Sequence, residues 1–145
     1  MPLIILVCFP MIMASCAKSP EPIICGSDAC ENCKMTISDP KFGAELITGK
    51  GKIYKFDSIE CLAAYSVAIK AEEIHSGWVT NYLQPENFIN INNTLFLVSE
   101  NLKSPMGLNI SAFSEQAGIE KTKEEFGGKV LKWKDVQVYV KSEWN

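Results

Sequence analysis

Residues 44–69 read AELITGKGKIYKFDSIECLAAYSVAI, and this stretch indicates the fold class of the chain. It opens with two short runs of strand-forming residues, Ala44–Thr48 and Lys52–Phe56, separated by a glycine-rich turn, a pattern typical of a β-hairpin. A segment with the spacing of apolar residues expected for a helix follows directly. A hairpin that leads into a helix predicts an α+β fold.

The start of that helix is marked by polar residues. Asp57 lies three residues before Glu60, the spacing of a capping box, so we predict a helix over Ser58–Glu73. The residue pattern in the rest of the chain predicts further strands and two short helical pieces. The strands are expected over Gly77–Tyr82, Thr94–Ser99 and Lys129–Trp133, and the helical pieces over Ser111–Gly118 and Glu120–Phe126. Asp135–Lys141 fits either a helix or a strand, and the alternation of its valines favours a strand.

A short internal similarity suggests a duplication. Gly51–Phe56 and Gly128–Trp133 carry the same class of residue at each of their positions. We interpret this as a sign of a repeated strand–strand–helix unit within one small domain.

Composition excludes several classes of function. The chain has 145 residues, enough for one domain, and a net charge of −3. Its 14 basic residues are all lysines, so it lacks the side chain best suited to bidentate recognition of bases and phosphates, and we expect no nucleic-acid partner. A single histidine, His75, rules out an imidazole-rich metal site within one chain.

The N-terminus has the features of an export signal. Residues 1–15 carry no charge, yet they fall short of the about 20 apolar residues that span a bilayer. Met13-Ala14-Ser15-Cys16 resembles a lipobox, which predicts a lipoprotein signal peptide over 1–15, lipidation at Cys16, a tether over 16–22 and a domain over 23–145. The protein would then be membrane-anchored in the periplasm. The alternative is a buried first strand in which the cysteine occurs by chance.

Sulfur-bearing residues cluster in the sequence. Cys30, Cys33 and Met35 place three sulfur atoms within six residues, and Met106 lies between a proline and a glycine, as on a tight loop. Thiolate and thioether are soft donors that select copper(I). The pattern therefore predicts a copper(I) site.

Other interpretations of the cysteines stay open. Cys30 and Cys33 could form a disulfide, or a thioredoxin-like redox pair, although such a pair should open a helix and here a strand-prone run follows. Four cysteines, Cys25, Cys30, Cys33 and Cys61, could hold a structural zinc ion. The methionines alone are most often core residues.

The chain resembles the NosL family, lipoproteins that are accessory to nitrous oxide reductase. The similarity follows the whole mature chain, and its motifs occur in the family's order. They are Cys30-x-x-Cys33-x-Met35, the run Gly51–Ser58, Ser104-Pro105-Met106-Gly107, Ala112-Phe113 and Gly127–Leu131. One difference is Lys34, which stands where the family has glycine; the local turn is expected to differ, and the ammonium to favour the thiolate forms.

The resemblance implies a fold of two related ββαβ units and a copper(I) chaperone rather than an enzyme. It implies that the chain supplies copper for nitrous oxide reductase, directly or through an associated membrane transporter complex. Carried over to this sequence, it implies Cys33, Met35 and Met106 as the foremost ligands. Cys30 ranks next, and Cys61, in the first turn of the predicted helix, ranks third.

Overall fold

The computed structural model describes residues 18–144. The predicted signal peptide and Cys16 lie outside the described residues. No helix among residues 18–144 is both long and apolar enough to cross a membrane.

Seven strands and three helices make up the described part of the chain. They follow in the order β1 Ala44–Thr48, β2 Ile53–Phe56, α1 Ile59–Ala68, β3 Ile74–Asn81, β4 Gln84–Asn90, β5 Leu95–Val98, β6 Ile110–Phe113, α2 Gln116–Phe126, β7 Lys129–Leu131 and α3 Trp133–Glu143.

The strands form two antiparallel sheets. The first has the order β2-β1-β3-β4 and the second the order β6-β5-β7. The succession β1-β2-α1-β3 therefore has the same topology as β5-β6-α2-β7, with β4 and α3 as additions. This confirms the α+β class and the two related ββαβ units.

The sequence similarity that suggested a repeat does not join equivalent strands. Gly51–Phe56 ends on β2, whereas Gly128–Trp133 contains β7, and the topological equivalent of β2 is β6. The true correspondence is Ile53–Phe56 with Ile110–Phe113. Each of these strands begins with isoleucine, ends with phenylalanine and precedes a helix by two residues.

Two predicted elements differ from the structure, and one strand was not predicted. The helical piece over Ser111–Gly118 is strand β6 followed by the start of α2, because β6 is buried on both faces and shows no alternation. Asp135–Lys141 lies in helix α3, where Val136 and Val140 are buried one turn apart while Val138 is 65% exposed. Strand β4 was not predicted, because its proline and asparagines are poor strand formers.

Helix α1 is shorter than expected and begins with a different cap. The Ser58 side chain accepts a hydrogen bond of 3.2 Å from the Cys61 N–H, so Ser58 and not Asp57 caps the helix. The helix ends at Ala68, and a 3-10 turn over Ala71–Glu73 leads into β3. Asp57 is thereby free to take another role.

The core lies between the sheets and helices. Helix α1 packs on β1, β2 and β6, and on its other side against α3, which covers β5. Because α1 is enclosed in this way, even its polar residue Glu60 is fully buried. The end of α1 that follows β2 therefore lies inside the molecule.

The segment before the domain is bound to the first sheet. Lys18 Nζ donates a hydrogen bond of 2.5 Å to the Gly49 carbonyl in the β1–β2 turn. The Glu21 N–H donates to Glu45 Oε2 at 2.9 Å, and Lys55 Nζ donates to the Pro22 carbonyl at 3.0 Å. Residues 18–22 form no helix or strand, yet three bonds fix their path along the sheet.

Glu45 should make stability depend on pH. Burial raises the pKa of its carboxyl to about 7, and the Glu21 N–H only partly opposes this rise. A raised folded pKa contributes stability at low pH that is lost as pH rises from about 4.5 through 7. We therefore compare the free energy of unfolding of Glu45→Gln with that of the wild type by urea unfolding. As pH rises from 5 to 8, the difference should change in favour of the variant by on the order of 2 kcal/mol. Glu86→Gln, at an exposed position, should show no such gain.

Gly128 should tolerate no side chain. Its φ is +113°, and an added Cβ would lie inside contact distance of the Val98 carbonyl, at the end of β5. We expect Gly128→Ala to cost roughly 3 kcal/mol of unfolding free energy by chemical denaturation. Gly51 is the matched control, since its φ of +84° is also left-handed but open space surrounds it. Gly51→Ala should cost about 1 kcal/mol, and equal losses would contradict the clash.

Candidate metal centre

Cys30 and Cys33 lie on a tight turn that the backbone closes. The Cys30 N–H donates to the Met35 carbonyl at 2.8 Å, and the Lys34 N–H donates to the Cys30 carbonyl at 3.0 Å. Lys34 adopts a φ of +65°, the left-handed conformation that glycine takes most easily. Lys34 thus holds a backbone conformation that glycine would adopt at a lower cost.

This turn docks on the end of β2. The Glu31 N–H donates to the Lys55 carbonyl at 2.8 Å, which fixes the two cysteines beside the last residues of the strand. Asp57 follows that strand directly, and Cys61 lies in the first turn of α1. The strand end, the helix start and the turn thus converge on one point.

Three thiols and a carboxylate meet there. One ligand atom from each of Cys30, Cys33, Asp57 and Cys61 lies within 4.8 Å of all the others. We call these four residues the thiol cluster. Cys30, Asp57 and Cys61 are at most 2% exposed, whereas Cys33 is half-buried. The cluster is therefore a mostly buried site that opens at Cys33.

Negative charge in the cluster is stabilised on Cys30. The pKa of its thiol is lowered to about 6, chiefly by a hydrogen bond from Cys61, with help from the backbone N–H groups of Cys33, Asp57 and Asn32. Correspondingly, the pKa of Cys61 is raised by its bond to Cys30 and by burial. Cys30 is therefore the thiolate of the cluster near neutral pH.

Cys33 holds its proton and shares it with Asp57. Burial raises the pKa of the Cys33 thiol to about 11, and its Sγ donates to Asp57 Oδ2 at 3.4 Å. The other carboxylate oxygen, Oδ1, is buried without a partner. Asp57 was not among the expected site residues; the signal in the sequence is Ser58, a second possible helix cap that leaves the aspartate free.

Lys34 does not supply the stabilising charge that the sequence suggested. Its ammonium lies 3.3 Å from Glu31 Oε2, and its side chain is 69% exposed. The hydrogen bond from Cys61 is the largest cause of the low Cys30 pKa. A neighbouring thiol and backbone dipoles, rather than a cation, favour the thiolate.

The two methionines lie in different settings. Met35 follows the turn and is 56% exposed. Met106 lies in the loop between β5 and β6; it is half-buried and packs against the core cluster that includes Cys30 and Cys61. The structure thus brings three predicted cysteine ligands together and leaves the coordination by both thioethers as a prediction.

The alternative interpretations of the cysteines meet specific obstacles. Cys25 is exposed and is not part of the thiol cluster, whose fourth member is Asp57, so the predicted four-cysteine zinc set is not assembled. The turn from Cys30 to Cys33 opens no helix, unlike a thioredoxin-like pair. All four described cysteines are free thiols in this structure. His75 is exposed on β3, away from the cluster.

Comparisons with known proteins identify a family and a shared fold. The family model named NosL matches residues 23–140. The crystal structure of the copper chaperone NosL from Shewanella denitrificans has a TM-score of 0.69 to this chain at 24% sequence identity. The alignment covers 79% of this chain and 92% of that one, which shows a shared fold. A comparison with curated proteins finds no match.

Proposed function

The chain belongs to the NosL family, and from this premise we propose that it is a periplasmic copper(I) chaperone for the maturation of nitrous oxide reductase. The observation that carries the proposal is the thiol cluster, with three cysteine sulfur atoms and one carboxylate oxygen all within 4.8 Å. The similar protein from Shewanella denitrificans is described as a copper chaperone, which supports the same role here.

Copper(I) suits these donors better than harder ions do. Thiolates select copper(I), zinc or iron–sulfur clusters, whereas carboxylates suit magnesium, calcium and manganese. With only one carboxylate among three thiols, the cluster favours a soft ion. In the metal-free protein Asp57 accepts the Cys33 hydrogen bond, and the sulfur atoms rather than this carboxylate would bind the metal.

The proposed ligands differ in strength and exposure. Cys30, buried and already ionised near neutral pH, would hold the ion most firmly. Cys33 and Cys61 would complete a thiolate site, and Met35 and Met106 would add neutral thioethers. The family resemblance implied Cys33 before Cys30; the hydrogen bonds to Cys30 are the reason for placing Cys30 first.

The same differences suggest how copper would leave. Cys33 is half-buried and Met35 is exposed, so a ligand from an acceptor protein can approach from their side. The incoming ligand would bind before an old one departs, which avoids releasing free copper. The thioethers would leave first and Cys30 last.

Delivery completes the proposal. The lipobox-like sequence at Cys16 supports a lipid anchor, which would keep the chaperone at the membrane. The acceptor would be nitrous oxide reductase or its associated membrane transporter complex, as the family resemblance implies. We propose no enzymatic activity for the chain.

Anaerobic titration with copper(I) against a chromophoric chelator tests the proposal. Residues 18–145 are a suitable protein, because the described core residues lie between Ile23 and Val140. We expect one tight equivalent of copper(I) and much weaker binding of zinc. Preferred binding of zinc, or rapid reduction of insulin disulfides by the metal-free protein, would instead favour the structural or the redox alternative.

A further inference from the structure

The loop that carries Met106 is closed on itself by hydrogen bonds. The Ser104 N–H donates to Asn109 Oδ1 at 3.1 Å, and the Asn109 N–H donates to Ser104 Oγ at 2.9 Å. Gly107 and Asn109 both take left-handed conformations, and the Gly107 N–H donates to the Ser104 carbonyl. We call Ser104–Asn109 the Met106 loop. Its reciprocal bonds give the loop a defined shape with Met106 near its middle.

One side chain joins this loop to helix α1. The hydroxyl of Ser104 donates to Glu60 Oε1. Both partners are shielded from water, with Glu60 fully buried and Ser104 9% exposed. Glu60 directly precedes Cys61, so the bond connects the loop to the backbone that carries one thiol of the cluster.

The Met106 side chain belongs to the same packed core as the thiols. Met106 packs against the core cluster to which Cys30 and Cys61 belong, and Cys33 packs against that same cluster. The Met106 loop comes from the second ββαβ unit, whereas the thiols come from the turn before β1 and from α1. The bond between Ser104 and Glu60 thus ties the second unit to the first at this place.

Glu60 is an unexpected residue for such a position. A buried carboxylate loses several kcal/mol of hydration, and its Oε2 has no hydrogen-bond partner. An apolar side chain would fill the same space at a lower cost in free energy. Burial raises the pKa of the Glu60 carboxyl, and among the hydrogen bonds that oppose this rise, from Ser104, Ser58 and the backbone of Glu60 and Ile110, the bond from Ser104 is the strongest. It is also the bond that comes from the Met106 loop.

We infer that Glu60 and Ser104 are positioning residues, which hold the Met106 thioether at the thiol cluster before copper arrives. The inference rests on the proposed function and adds residues that do not themselves bind the metal. Supporting groups around a metal site commonly change affinity by about 10- to 100-fold when they are replaced.

Methionine methyl groups provide the test, because residues 18–145 contain two methionines, Met35 and Met106. The protein is labelled with 13C at the methionine methyls, and the signals are assigned from Met35→Leu and Met106→Leu. One equivalent of copper(I) should shift the Met106 methyl signal in the wild type. In Ser104→Ala we expect that shift to be largely lost and the affinity to fall by about 10- to 100-fold.

Conservative variants separate positioning from general damage. Ser104→Thr keeps the hydroxyl and Glu60→Gln keeps an acceptor, so both should retain the Met106 shift. Ser111→Ala removes another buried serine, on β6, which donates to the Leu97 carbonyl. We expect it to lower stability without changing the shift.

The outcomes are distinguishable. A normal Met106 shift in Ser104→Ala would overturn the positioning role. A wild type that binds copper with no Met106 shift would overturn it as well, while leaving the thiol site intact. Loss of the shift in Ser111→Ala would attribute the effect to stability and would also overturn it. Absence of copper binding in the wild type would contradict the proposed function itself.

Discussion

Replacing Cys30 with serine should lower the copper(I) affinity of the chain at least about a hundredfold. Structural zinc sites of four ligands bind with about 10–16 kcal/mol, which sets a scale of roughly 3 kcal/mol for one ligand, and each 1.4 kcal/mol is a factor of ten. Cys30 should be above that average, because it is the thiol that the protein keeps ionised. A serine hydroxyl stays protonated and is a poor ligand for a soft ion.

The chain provides a matched control in Cys25. This cysteine is exposed and is not a member of the thiol cluster, so Cys25→Ser should bind copper as the wild type does. Competition with a chromophoric chelator under anaerobic conditions measures both variants, and circular dichroism checks their folds. Unchanged affinity in a folded Cys30→Ser variant would remove Cys30 from the ligand set. Equal losses in both variants would place the copper elsewhere.

Copper(I) binding should also strengthen steeply with pH. Each thiol that must lose its proton raises the association constant tenfold per pH unit. At pH 7 to 9 Cys30 is already ionised, because its pKa is about 6, whereas the raised pKa values of Cys33 and Cys61 keep both protonated. Binding through all three should therefore raise the constant about 100-fold per pH unit, and binding through Cys30 and Cys33 alone about tenfold.

The slope thus counts the thiols. Below about pH 6 the association constant should change by a further factor of ten per pH unit, since Cys30 then carries a proton as well. If Cys61 is a ligand, Cys61→Ser should displace one proton fewer at pH 7 to 9, so that the association constant changes tenfold less per pH unit. The measurement is the same competition titration at a series of pH values, corrected for the chelator's own protonation. A flat profile between pH 7 and 9 would contradict the proton displacement.

Much of the first ββαβ unit was predictable because its signals are local. The hairpin of β1 and β2 is set by strand-forming residues around a glycine-rich turn, and the helix start by capping residues. The second unit has weaker signals. Strand β6 is buried on both faces and loses alternation, while the valines of α3 satisfy the period of a strand and of a helix at once.

The site likewise has residues that local sequence signals predict and residues whose roles depend on the folded structure. The cysteines and methionines attract attention because sulfur is rare and clustered, so three of the four members of the thiol cluster were foreseen. Asp57 and Glu60 were interpreted together as a capping box. Which of two adjacent polar residues caps a helix depends on tertiary contacts, and here Ser58 takes that place. The roles of Asp57 beside Cys33 and of Glu60 beside Ser104 arise only when the chain is folded.

The bonds that fix residues 18–22 to the first sheet limit how far the thiol cluster can lie from a lipid on Cys16. One residue, Ala17, separates Cys16 from Lys18, so the two are at most about 7 Å apart along the chain. Lys18 is bonded at the β1–β2 turn, and the thiol cluster lies at the other end of β2, about 16 Å away at 3.3 Å per residue. A lipid on Cys16 would therefore anchor the domain through a short tether, and the bound copper would lie only a few nanometres above the bilayer. A lipid-anchored copper donor of this kind would diffuse within a thin layer over the membrane surface and not through the full depth of the compartment. Its acceptor would have to expose its copper site within that layer.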